Sequence, residues 1–113
     1  MSAGPPSDSS WQIRTTIQIE GGVVVLRVAG RMGSAGEEAC RRALADAASK
    51  GSDVRLDLAE VDYVSSAGLA VLRDGAAAIH AANGTLTLIR ASEPVAAALK
   101  LAGEIPFLSA LRT

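Results

Sequence analysis

The sequence predicts an α/β domain built on a mixed, mostly parallel sheet. Short β-branched runs alternate along the chain with segments of helical periodicity. Glycine, proline or asparagine marks most of the junctions between them. Strands separated by helices need crossover connections, and crossovers make parallel neighbours. Hydrophobic residues make up 49 % of the 113-residue chain and aromatics only 3 %. The core must therefore come from Ala, Val, Leu and Ile, and the length allows one domain.

The elements come in order. Residues 1–10 are rich in Gly, Pro, Ser and Asp and read as a mobile leader outside the fold, leaving 11–113 as a single domain. From Trp11 to Ile19 the chain alternates, with Ile13, Thr15, Ile17 and Ile19 on one face. Gly21-Gly22 then turns into the β-branched run Val23 to Val28, which completes a hairpin. Gly30, Gly33 and Gly36 suggest a loop. A helix is expected from about Ala35 to Ser49, capped by Ser34, with Glu37 and Glu38 in its first turn and Ala39, Ala43, Leu44 and Ala47 as its apolar stripe.

Val54, Leu56 and Leu58 alternate with polar or small neighbours and predict a strand of about five residues. Val61-Asp62-Tyr63-Val64 leads on to Ser65-Ser66-Ala67-Gly68 and a second helix to about Ala82, whose Leu69, Leu72, Ala76 and Ile79 face the core. Asn83-Gly84 stops it. A strand follows over Thr85 to Ile89. Ser92-Glu93-Pro94 then opens a third helix with Val95, Ala98, Leu99 and Ala102 on its apolar face. These segments give four strands, and a last short one over Ile105 to Leu108 makes five.

Charge and composition narrow the function. Eleven basic residues stand against 12 acidic ones, for a formal net charge of −1. This balance argues against a nucleic-acid binder. Cys40 is the lone cysteine, so no internal disulfide forms and a reducing cytoplasm fits. No apolar run is long enough for a membrane span, and the first residues lack the pattern of a signal peptide. No metal or cofactor is implied. The chain contains no G-x-S-x-G, P-loop, G-x-G-x-x-G or H-E-x-x-H pattern. His80 and Cys40 read as structural residues, and an enzyme is not expected. The glycines at 30, 33 and 36 suit a tight turn as well as a phosphate cradle.

One segment carries more. In Leu56-Asp57-Leu58 through Val64-Ser65-Ser66-Ala67-Gly68-Leu69, a buried strand runs toward two serines at the mouth of a helix. One serine is explained as an N-cap. A second, followed by two small residues, leaves the helix mouth uncovered. Helix N-termini favour anions, so a serine there can accept a phosphate without unfolding its own domain. The added charge of about −1.5 to −2 would act on a docked partner.

The stretch from Leu56 to Leu69 resembles the signature of STAS domains, in particular the bacterial anti-sigma-factor antagonists. The likeness extends from about Ile13 to Leu108. It includes the opening hairpin, Gly30, and Gly84-Thr85-Leu86-Thr87-Leu88. The resemblance implies a STAS fold with the helices packed mainly on one side of the sheet. It also implies a cycle. The antagonist binds an anti-sigma factor that is a GHKL-type serine kinase, and the sigma factor is released. The kinase phosphorylates one serine of the antagonist and the two separate. A PP2C-type phosphatase resets the serine.

By that pattern the acceptor is Ser66, two residues before Gly68, and Ser65 caps or lines the turn. The implied docking face comprises Arg31, Met32, Gly33 and Ser34 together with Ser65, Ser66, Ala67, Gly68 and Leu69. Two features depart from the family. Many antagonists read Gly-x-Leu/Ile-Asp where this chain has Gly30-Arg31-Met32-Gly33, and little sequence is left for the final long helix of many relatives. Two other roles compete: an unphosphorylated scaffold subunit of a larger regulatory or transporter-associated complex, and a nucleotide or small-molecule sensor. A hydroxyl retained at position 66 favours the switch.

Overall fold

The computed structural model describes residues 13–33, 36–103 and 105–110. The expected leader, Trp11 and Ser34 lie outside them. The elements are β1 (Ile13–Glu20), β2 (Val23–Met32), α1 (Glu37–Lys50), β3 (Asp53–Val64), α2 (Ser66–Ala81), β4 (Thr85–Ala91), α3 (Glu93–Ala102) and β5 (Leu108–Ala110). They form one five-stranded sheet in the order β1-β2-β3-β4-β5. β1 and β2 pair antiparallel around the Gly21-Gly22 turn, and every other pair is parallel. The α/β class, the hairpin and the mixed sheet are as the sequence predicts.

The right-handed rule for parallel crossovers, applied to strands that advance in one direction, sends successive helices to the same face. The packing agrees. Cys40, Ala43, Leu44 and Ala47 of α1 and Val71, Leu72, Ala76 and Ile79 of α2 share one buried cluster with Val24, Leu26 and Val28 of β2, Val54, Leu56 and Leu58 of β3, and Leu86 and Leu88 of β4. Leu99 of α3 packs against the same cluster. The other face carries Arg14, Thr16, Arg27, Arg55 and Thr87 and is bare of helices among the described residues.

Four boundaries differ from expectation. β2 does not end at Gly30. It runs on to Met32, because Gly30 adopts φ +103° and lets the strand bend without breaking. β3 is 12 residues long, and Val61–Val64 belong to it. Along β2 the register advances from Arg27 to Ala29 while β3 advances from Asp57 to Glu60, and again from Gly30 to Arg31 while β3 advances from Val61 to Tyr63. Each step is a bulge that gives β3 an extra residue. The buried positions therefore pass from a spacing of two (Val54, Leu56, Leu58) to a spacing of three (Leu58, Val61), and simple alternation stops predicting the strand.

α1 starts at Glu37 with Gly36 at the N-cap position and no side-chain cap. β5 begins three residues later than expected, after a turn in which Phe107 takes φ +68°. Two faces are also less buried than their patterns suggest. Ile19 at the tip of the edge hairpin is 58 % exposed, and of α3 only Val95 is fully buried.

Candidate functional site

Side by side at the end of the sheet, β2 and β3 finish where α2 begins. Met32 pairs with Val64 in the parallel register. The next residue, Ser65, is held by the end of β2. Its N–H donates to the Met32 carbonyl at 3.0 Å and its hydroxyl donates to the same oxygen at 3.4 Å. Ser65 is in turn the N-cap of α2, and its Oγ accepts the Gly68 N–H at 3.3 Å. Both roles of the hydroxyl are filled. A cap of this kind contributes about 1 kcal/mol.

Ser66 is different. It occupies the first helical position, is exposed, and its hydroxyl has no partner among the described residues. With Ser65 serving Gly68 and Leu69, the N–H groups of Ser66 and Ala67 have no acceptor among the described residues. The first turn of α2 contains no acidic side chain, so its partial positive charge is not neutralised locally. Ser65 thus caps α2, and Ser66 presents a free hydroxyl beside it.

Gly68 is buried, and the reason for glycine is internal. A Cβ there would lie 2.4 Å from the Met32 carbonyl oxygen and 3.0 Å from Val64 Cγ2. Glycine lets the first turn of α2 lie directly on the end of β2. It does not keep the outer mouth of the helix clear, as its place beside the serines suggests. Met32 is buried too, at 1 % exposure. Of the expected docking face, Met32 and Gly68 therefore support the surface from beneath, because close packing leaves neither of them available to a partner. Arg31 and Ser66 are exposed, and Gly33, Ser65, Ala67 and Leu69 are half-buried. Arg31 stands on a strand, not on a loop, because β2 continues past Gly30 alongside the bulged end of β3.

Tyr63 is an addition that sequence reasoning missed. It pairs with Arg31 across β2 and β3, is 41 % exposed, and carries the Arg31 guanidinium 4.4 Å above its ring centroid. This cation–π contact fixes a positive charge at the end of the sheet that leads into Ser65. The signal lay in a parallel register that only the bulges define.

Cys40 and His80 are structural. Cys40 is buried on the core face of α1, and burial pushes its thiol up to about 11 against the opposing pull of the Arg41 charge. Such a thiol is protonated at neutral pH and a poor nucleophile. His80 is exposed and stacks on Phe107, with centroids 4.0 Å apart and rings 9° from parallel. Among the described residues no three His, Cys, Asp or Glu side chains gather to hold a metal. No described helix is long and apolar enough to cross a membrane.

A family model described as "Mlab, STAS domain" matches residues 15–104. The chain belongs to the STAS domain family. Solved structures repeat the STAS architecture. An anti-sigma factor antagonist from Mycobacterium paratuberculosis aligns with a TM-score of 0.74 at 20 % identity, over 94 % of this chain and 91 % of that one. The anti-sigma factor antagonist SpoIIAA in its unphosphorylated form aligns at 0.68 with 17 % identity, over 88 % and 89 %. The phosphorylated form of the Bacillus cell fate determinant SpoIIAA aligns at 0.65 with 15 % identity, over 88 % and 92 %. At these identities the likeness establishes the STAS fold. No functionally curated protein shows significant sequence similarity to the chain.

Proposed function

We propose that this STAS domain is an anti-sigma-factor antagonist, a non-catalytic cytoplasmic module whose docking end is switched by phosphorylation of Ser66. The observation that carries the reading is the contrast between two adjacent hydroxyls. Ser65 is committed to the Met32 carbonyl and the Gly68 N–H, whereas Ser66 is exposed and uncommitted at the first position of α2. The partner is an anti-sigma factor that doubles as a GHKL-type serine kinase. Its docking takes the kinase away from the sigma factor. Transfer of the γ-phosphoryl group from ATP to Ser66 Oγ releases ADP, and the hydroxyl proton passes to a base on the kinase. The product places about two negative charges on the contact surface while the open N–H groups of α2 stabilise them within the domain. The fold survives and the complex does not. Hydrolysis by a PP2C-type phosphatase restores the hydroxyl. That the STAS relative SpoIIAA has been solved in phosphorylated and unphosphorylated forms supports a cycle of this kind.

The test is intact-mass analysis after incubation with ATP and the candidate kinase, with mapping of the site. One added phosphate on Ser66 is expected, none on the Ser66→Ala variant, and retained partner binding by that variant. A phosphate on Ser65, or none where the same kinase modifies a known substrate, overturns the assignment.

A further inference from the structure

Parallel sheets are ordinarily covered on both faces. Here the helix-free face holds a hollow of about 450 Å³ lined by residues of β1, β2, β3 and β4. Its floor and walls follow from the register. One row across the sheet reads Thr16, Arg27, Asp57, Arg90. The next reads Arg14, Ala29, Glu60. Ala29 and Ala59 are too small to fill the space above the sheet, and the longer side chains stand around it. The bulge after Asp57 brings Glu60 to the same face in spite of the odd spacing.

The charges are organised. Asp57 is the one buried polar or charged side chain among the described residues, at 6 % exposure. Its Oδ1 accepts the Ala59 N–H at 3.0 Å and its Oδ2 accepts Arg27 Nε–H at 3.3 Å. Arg27 also donates from Nη1 to Gln18 Oε1 at 3.1 Å. The guanidinium is thereby pinned between Asp57 and Gln18, and the Asp57 charge is already answered. Arg14 and Arg90 form no salt bridge among the described residues. Three arginines thus face two carboxylates, Asp57 and Glu60, and the second of these is exposed at the rim.

We propose that this hollow binds a small organic anion through a carboxylate or phosphate group held by Arg14 and Arg90, with the pinned Arg27 between them. Guanidinium groups take such oxyanions in paired hydrogen bonds. The volume suits a metabolite and is too small for a folded partner. Thr16 adds a hydroxyl at the wall. Such a site gives the domain a second input, independent of the serine switch.

Citrate and inorganic phosphate are the probes, titrated into the full chain at ionic strength matched with sodium chloride and monitored by thermal shift and amide chemical shifts. The expected result is a saturable rise in Tm with one or both probes, with amide shifts centred on Ala29 and Ala59. Saturation by citrate alone assigns a carboxylate ligand, and by phosphate alone a phosphate ligand. The Arg14→Gln/Arg90→Gln double variant should bind at least tenfold more weakly, and Arg42→Gln on α1 should bind as the native chain does. Ser66→Ala should bind normally, so a failed serine switch leaves this result interpretable. A Tm response no larger than that to chloride, amide shifts centred on Ser66, or native affinity in the double variant would overturn the site.

Discussion

Two helices of this molecule begin in almost the same way and differ in their first turns. Ser65 caps α2 and Ser92 caps α3. Each hydroxyl accepts the N–H three residues on, from Gly68 and Val95. Each donates to the carbonyl of a strand, Met32 for Ser65 and Val61 for Ser92. The backbones are tied alike, with Ser65 N–H on Met32 and Ser92 N–H on Leu58. The difference lies in the next three residues. α3 continues Glu93-Pro94-Val95, so it brings its own carboxylate, lacks one N–H outright and plugs a buried valine into the core. α2 continues Ser66-Ala67-Gly68, with no acid in the turn, two open N–H groups and a glycine pressed on the end of β2. One mouth is neutralised from within. The other is left electrically unfinished with a free hydroxyl in front of it. The cap is the shared part, and the three residues beyond it separate a closed helix start from an open one.

The comparison can be broken most severely at the third helical position. Gly68→Ala places a methyl group against the Met32 carbonyl and should cost about 3 kcal/mol, near the top of the usual overpacking range. Urea unfolding midpoints measure this directly, and a cost below that of a lost cap would show that α2 is free to lift off β2.

The two caps should be close to equivalent. Ser65→Ala and Ser92→Ala are each expected to lose about 1 kcal/mol in the same assay. Only Ser65→Ala should also disturb partner binding, since it alone adjoins the proposed docking end. The smallest effect on the fold is the most informative. Ser66→Asp should stabilise the domain by about 0.5 kcal/mol through the helix dipole, while weakening partner binding by roughly tenfold or more through like-charge and desolvation costs. A variant that binds tightly, or that loses binding because it unfolds, would remove the distinction between a finished and an unfinished helix mouth.

Most of the element order is legible in the sequence. The hairpin, three helices and strands β3 and β4 come from periodicity and from Gly, Asn, Ser and Pro punctuation, and Ser65 is readable as the cap of α2. The hidden parts depend on register. The second half of β3 reads as a loop because two bulges change the buried spacing from two to three residues. For the same reason Arg31 reads as a loop residue, and its stacking on Tyr63 cannot be seen. Gly68 stands out beside the serines, but its reason does not, because the Met32 carbonyl that demands it is 36 positions earlier in the chain. Local signals name elements, and contacts between distant residues decide what their ends do.

The strand order has a consequence for how the molecule comes into being. Every strand pairs with its neighbours in the sequence, from β1 through β5. No pairing must wait for a distant part of the chain, and each new strand closes a loop no longer than a single helical crossover. Loop-closure entropy, which slows many parallel sheets, is therefore met in small instalments. The domain can zip up from the hairpin onward as it is synthesised, with each new strand adding to an existing edge.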